Sequence, residues 1–232
     1  MNTLFPPAPA VLVPIAGSEQ SFPVRRVFCV GRNYAEHARE MGMPVERNSP
    51  IFFCKPADAL VLPGHDPHYP SATQDVHHEV EWVLAIGASV PLDSSPKEAI
   101  SAVIGHAIGL DLTRRDLQAG AKQKGQPWDT AKAFDESAPI SALTLCPGDA
   151  LPTSGALWLE VNGDLRQQGD LSDMLMTPAE IVAELSRLFA LKPGDLIFTG
   201  TPAGVSALQP GDHWRAGLGD QCLMQGQMLP RR

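Results

Sequence analysis

Glycine and proline punctuate this chain along its whole length, 20 and 22 of its 232 residues. Turn formers at that density break a polypeptide into many short strands rather than a few long helices. The segments between them agree. Arg26 to Gly31 and Pro50 to Cys54 read as buried strands, and Glu79 to Ile86 is β-rich, opening with acidic and apolar residues in alternation. Leu157 to Val161 followed by Asn162-Gly163 is the clearest hairpin signal in the chain. Helices are few. Pro96 to Ile104 places Ala99, Ile100, Val103 and Ile104 on one face, and Thr113 to Gln123 has helical character, whereas Ile104 to Leu112 fits a strand. Thr177-Pro-Ala-Glu180 is a capping box that opens a helix with Ile181, Leu185, Leu188 and Phe189 on one side. The expected architecture is α+β and mostly β, with an extended lead-in over residues 1–23 and a single domain over 24–232.

Composition removes several classes of function. Twenty-six acidic against 18 basic side chains give a formal charge of −8, with no long basic run, so a phosphate backbone is not the expected partner. No uninterrupted apolar stretch reaches the roughly 18 residues of a membrane span. The apolar start, Met1 to Ala16, lacks a basic region and is interrupted by four prolines, unlike a signal peptide. Cys29, Cys54, Cys146 and Cys222 form no C-x-x-C pair, and Cys29 and Cys54 lie in apolar runs that suit buried free thiols. A reducing cytoplasm is the expected compartment.

Three groups of residues could carry chemistry. Glu79 and Glu81, two apart on a strand, project to the same face. They are either two solvated glutamates or a pair whose repulsion a hard divalent cation relieves. Asp111, inside the buried-looking run Ile108 to Thr113, favours the cation, because a carboxylate buried alone is costly. His37 and Glu40, three apart, are neighbours on a helical turn: an exposed charged pair, or an imidazole made more basic and fixed in tautomer by a carboxylate. The tandem His77-His78 points to opposite faces of a strand and suits packing or support around the site. Arg115 and Gln118 share a helical face, and Lys132 sits among Ala131, Ala133 and Phe134, where its ammonium needs a partner. Salt bridging alone would also explain these three. Gly200-Thr-Pro-Ala-Gly204 is a tight loop with exposed amides.

Taken in order, Gly-Arg-Asn-Tyr-x-x-His-x-x-Glu (31–40), Phe-Phe-x-Lys-Pro (52–56), His-His-Glu-x-Glu (77–81), Gly-x-Asp-x-Thr-x-Arg-Asp-x-Gln (109–118), Pro-Trp-x-x-x-Lys (127–132) and Gly-Thr-Pro-x-Gly-Val (200–205) resemble the fumarylacetoacetate hydrolase family. The resemblance runs from about residue 24 to 219 and within the family is nearest to the acylpyruvases, notably the bacterial fumarylpyruvate hydrolases of gentisate breakdown. It implies a mixed β-sandwich or roll, usually homodimeric. It also implies Glu79, Glu81 and Asp111 as Mg²⁺ or Mn²⁺ ligands, and His37 with Glu40 as a water-activating dyad on a lid. Arg115, Gln118, Lys132 and Thr201 are then substrate and oxyanion contacts, with Lys55 a further contact. Arg32 or Arg115 would meet negative charge at the substrate's far end. The implied reaction is hydrolysis of the C–C bond of an acylpyruvate, a 1,3-diketo acid. The rivals are oxaloacetate decarboxylation, isomerisation or decarboxylation of a dienedioate in homoprotocatechuate breakdown, and a non-enzymatic oligomeric binding protein.

Overall fold

A computed structural model describes residues 3–40, 42, 45 and 50–232. Its centre is a six-stranded mixed sheet in the order Thr144–Leu145, Val103–Leu110, Val80–Ile86, Asp195–Phe198, Arg26–Val30, Phe52–Lys55. Asp195–Phe198 runs parallel to Arg26–Val30, and the other neighbours are antiparallel. Both faces of this sheet are covered, which explains why its strands read as continuous apolar runs. Phe28, Val30, Trp82, Leu84, Ile86 and Ile197 enter one core. The residues between them, Val27, Cys29, Val83, Ala85, Leu196 and Phe198, enter a second core on the other face. Buried Asp195 pins the parallel pair through Arg25 (3.2 Å) and Arg26 (2.7 Å).

A four-stranded antiparallel sheet, in the order Asp164–Asp170, Ala156–Val161, His213–Leu218, Gln221–Gln227, packs beside it. The hairpin forms where Asn162-Gly163 placed it, both residues having positive φ as the turn requires. A three-stranded sheet of Ala207–Leu208, Val76–His77 and Thr113–Arg114 closes one end. The expected mostly-β architecture is present, with five short α-helices among the described residues.

Boundaries differ where tertiary pairing overrides local pattern. The helix beginning at Pro96 stops at Ile100, because Val103 and Ile104 open the strand Val103–Leu110. Thr113 and Arg114 pair with Val76–His77, so the next helix is Arg115–Lys124. The helix Pro178–Leu188 keeps its capping box but buries Ile181, Val182, Ala183 and Leu185. Leu188 is exposed, and Phe189 lies past the helix end, where it turns back onto the Phe28 ring. Cys54 is exposed at the sheet edge rather than buried, while Cys29 is buried. Within residues 1–23, Leu12–Pro14 and Ser21–Pro23 form a hairpin that plugs Val13 and Phe22 into the second core.

Candidate metal centre and active-site cleft

The register of two central strands assembles the acidic site. Glu81 lies opposite Gly109 and Val80 opposite Leu110. One step further, Asp111 N donates to Glu79 O at 2.8 Å, so Asp111 faces Glu79 across the pair. Glu79, Glu81 and Asp111 therefore emerge on one face at the end of the sheet, with one ligand atom of each lying within 4.8 Å of the others. All three are buried.

Three carboxylates this close repel one another strongly in a low-dielectric interior. Cations from three different segments offset that repulsion. Lys132 Nζ bridges Glu79 Oε2 (2.8 Å) and Asp111 Oδ2 (2.6 Å). Arg115 Nη2 donates to Glu79 Oε1 at 2.6 Å, and Lys55 Nζ lies 2.9 Å from Asp111 Oδ1. Burial opposes ionisation of Glu79, yet Lys132 and Arg115 hold its carboxyl well below the usual range. Burial also opposes the Lys132 ammonium, but Asp111 and Glu79 outweigh it and push its pKa up.

Glu81 has no such partner. Among the described residues its Oε2 accepts the Gly200 N–H, at 2.7 Å, and forms no ion pair. Burial, then the charges of Asp111 and Glu79, push its carboxyl well above the usual range. Asp111 Oδ1 pairs with the Lys55 ammonium by charge but receives no directed hydrogen bond from it, while that ammonium donates to the carbonyls of Leu112 and Lys132. An all-oxygen donor set in which Glu81 lacks a cationic partner among the described residues fits a hard divalent ion such as Mg²⁺ or Mn²⁺. Glu79, Glu81 and Asp111 are the residues that would hold it.

The loop after Asp195–Phe198 is shaped for this site. Gly200 has φ +98°, and a Cβ there would come within 2.8 Å of Asn33 Cβ. Gly200→Ala is therefore expected to cost about 1–3 kcal/mol in backbone strain. That corresponds to a fall of roughly 2–4 °C in melting temperature per kcal/mol, measurable by thermal unfolding. An unchanged melting temperature would remove the strain argument.

A cleft opens beside the carboxylates, lined by Arg32, His37, Glu79, Arg115, Gln118, Lys122, Trp128 and Lys132 among others. The short helix Ala35–Glu40 puts His37 and Glu40 one turn apart, with His37 Nδ1 at 3.3 Å from Glu40 Oε2. Glu40 is itself held by the Gly204 N–H, which reaches both of its oxygens at 3.1 and 3.2 Å. Bonding Nδ1–H to that carboxylate leaves Nε2 as the basic nitrogen. Burial lowers the His37 pKa below its ordinary 6.5, outweighing Glu79 and Glu40, so the ring is neutral at neutral pH. Arg115 Nη1 donates to Gln118 Oε1 at 2.7 Å, which fixes the amide and leaves its NH₂ to donate elsewhere.

Other residues singled out in the sequence sit behind the cleft. The buried Thr201 hydroxyl donates to Val80 O and accepts from Gln167 Nε2, both at 2.8 Å. Lys55 lies under the carboxylates, 2% exposed, against the Phe134 ring. His78 bonds Gln167 Oε1 and Ser206 Oγ, each at 2.8 Å, and His77 turns away to Asp75. Three participants escaped sequence reasoning. Gln167, on the hairpin strand Asp164–Asp170, binds His78, Val80 and Thr201 together, and no local pattern marks it. Asn33 ties the start of the His37 helix to the Met176 and Thr199 carbonyls. Lys122 lines the cleft, and its signal was the shared helical face with Arg115 and Gln118.

Comparison with known proteins agrees with this geometry. Residues 26–228 match the fumarylacetoacetate (FAA) hydrolase C-terminal family. The crystal structure of fumarylpyruvate hydrolase from Pseudomonas aeruginosa, in complex with Mn²⁺ and pyruvate, superposes with a TM-score of 0.93 at 46% identity, covering 99% of this chain and 100% of that one. An oxaloacetate tautomerase of Escherichia coli is 43% identical over 199 residues, 84% of this chain and 89% of its own. A 2-hydroxyhepta-2,4-diene-1,7-dioate isomerase from Mycobacterium marinum superposes with a TM-score of 0.77 at 32% identity, covering 94% of this chain and 77% of that one. No helix among the described residues is long and apolar enough to cross a membrane.

Proposed function

The chain belongs to the fumarylacetoacetate hydrolase family and is a metal-dependent enzyme of it, and on that premise we propose that it hydrolyses the C–C bond of an acylpyruvate, with fumarylpyruvate giving fumarate and pyruvate. The observation that carries the reading is that His37, paired with Glu40, lines the same cleft as Glu79. Enolisation or decarboxylation of a keto acid needs no attacking water, whereas hydrolysis needs a base positioned to make one. The likeness to a fumarylpyruvate hydrolase over essentially both whole chains supports the choice of acyl group.

Glu79, Glu81 and Asp111 would hold a divalent ion, which would supply Lewis acidity for developing negative charge. The chain's own residues do the rest. His37 Nε2 takes a proton from water as the water oxygen bonds to the distal acyl carbon. Glu40 stabilises the imidazolium through Nδ1–H. The free amide N–H of Gln118 and the Lys132 ammonium line the cleft as oxyanion donors, a role typically worth about 2.7–4 kcal/mol per donor. Collapse of the tetrahedral adduct breaks the C–C bond and leaves the electron pair on the pyruvyl carbon, which takes up a proton to give pyruvate. The acyl half departs as a carboxylic acid.

The resemblance to the E. coli oxaloacetate tautomerase favours a second reading, proton transfer on oxaloacetate at the same site. Assaying fumarylpyruvate, acetylpyruvate and oxaloacetate side by side with Mg²⁺ or Mn²⁺ and a chelator control separates the two. The hydrolase reading expects pyruvate release from fumarylpyruvate, abolished by chelation. Rapid oxaloacetate tautomerisation with no pyruvate released from either acylpyruvate would replace it. A cytoplasmic homodimer is proposed on the family resemblance alone, and light scattering of the purified protein tests the dimer.

A further inference from the structure

We propose that Lys122, seconded by Arg32, selects substrates bearing a second carboxylate at the end remote from the metal ligands, so that dicarboxylic acylpyruvates are the preferred class. This deepens the hydrolase reading and rests on it for the reaction, though not for the binding preference.

The argument begins with unspent charge. Four cationic side chains line the cleft, Arg32, Arg115, Lys122 and Lys132, against the single carboxylate of Glu79. Arg115 and Lys132 are engaged by Glu79, and Lys132 by Asp111 as well. Lys55, outside the cleft lining, is engaged by Asp111. Arg32 and Lys122 remain, and neither meets a carboxylate among the described residues. The Arg32 Nε is buried without a hydrogen-bond partner. Lys122 Nζ lies 5.1 Å from the centroid of the Trp128 ring, which packs edge-on against Phe53. An aromatic face steadies an ammonium without neutralising it. Burial, followed by Arg115 and then Lys132 and Arg32, pulls the Lys122 pKa down to about 8 against the opposing charge of Glu79. This corner of the cleft is short of negative charge.

Position then assigns the end of the substrate. Arg115, Gln118 and Lys122 follow one another at helical spacing along one face of Arg115–Lys124. Arg115 stands at the metal ligands, and Lys122 is two turns further, about 10 Å along the axis. A substrate whose pyruvyl end lies at the carboxylates thus extends its acyl end toward Lys122.

Fumarate and crotonate differ only in the far group, a carboxylate in one and a methyl in the other. Their dissociation constants are to be measured calorimetrically on Mg²⁺-loaded wild type, Lys122→Met and Lys122→Arg. The ratio of kcat/KM for fumarylpyruvate over acetylpyruvate is measured alongside. Methionine keeps an apolar stem against Trp128 and removes the charge, and Lys122→Gln is the second neutral variant should it fail to fold. The wild type is expected to prefer fumarate by roughly tenfold or more, as a charged hydrogen bond typically provides. The neutral variants should lose that preference and Lys122→Arg should recover much of it, with the kcat/KM ratio moving in step. An equal fumarate preference in wild type and neutral variants overturns the proposal, as does a wild type indifferent to the far carboxylate. A fumarate preference that depends on Lys122 in a protein that hydrolyses neither acylpyruvate would overturn the hydrolase reading instead and leave the selectivity assignment standing.

Discussion

Glu79→Ala is expected to abolish divalent-ion binding and turnover together and to destabilise the metal-free protein as well. The carboxylate serves two roles. It is one of three oxygen ligands converging within 4.8 Å, and it is the counter-ion of Lys132 and Arg115. Removing it leaves the Lys132 ammonium, 2% exposed, with Asp111 as its remaining carboxylate. Breaking a buried ion pair from one side typically costs about 3–5 kcal/mol. Glu79→Gln removes the charge but keeps the shape and an oxygen that can still accept hydrogen bonds from Lys132 and Arg115, so it should destabilise less than Glu79→Ala while remaining a poor ligand for a hard ion. Calorimetric metal titration and thermal unfolding of both variants check this. Undiminished metal binding in Glu79→Gln would take Glu79 out of the ligand set.

His37→Ala should reduce kcat for hydrolysis by on the order of 10²–10⁴, the usual contribution of a positioned base, while metal affinity stays within a few-fold of wild type. Among the described residues the hydrogen bond of His37 goes to Glu40 and not to a proposed metal ligand. Loss of metal binding and turnover together would contradict its assignment as the base. The pH profile provides a second check. A base acts when neutral, and burial lowers the His37 pKa below 6.5, so the acid limb of kcat/KM should fall below that pH. An acid limb above pH 6.5 would mean that the imidazolium is stabilised rather than disfavoured, contrary to the burial seen.

The part of the site that strand periodicity controls was legible in the sequence. Glu79 and Glu81 share a face because side chains on a strand repeat every two residues. Asp111 stood out as a charge in an apolar run, but its position opposite Glu79 depends on the register of two strands separated by the helix Pro96–Ile100, which no local rule sets. The dyad was legible for the same reason as the carboxylate pair, since a three-residue spacing closes one helical turn. Cys54 was misjudged because an apolar run at a sheet edge has one face left open. The early end of the helix at Ile100 has a similar origin: Val103 pairs with Ile86 and Gly105 with Ala85, which draws Val103 and Ile104 into the strand. Gln167 could not have been found locally, because its role comes from contacts with residues dozens of positions away in the chain.

The central claim is that three carboxylates from two strands hold one divalent ion on which the chemistry depends. Titrating Mn²⁺ into metal-free wild type and Asp111→Asn by calorimetry addresses it most directly. A single ion per chain in the wild type, with affinity reduced at least about a hundredfold in Asp111→Asn, is the predicted result. Equal binding in both proteins, or no binding in the wild type, would contradict it.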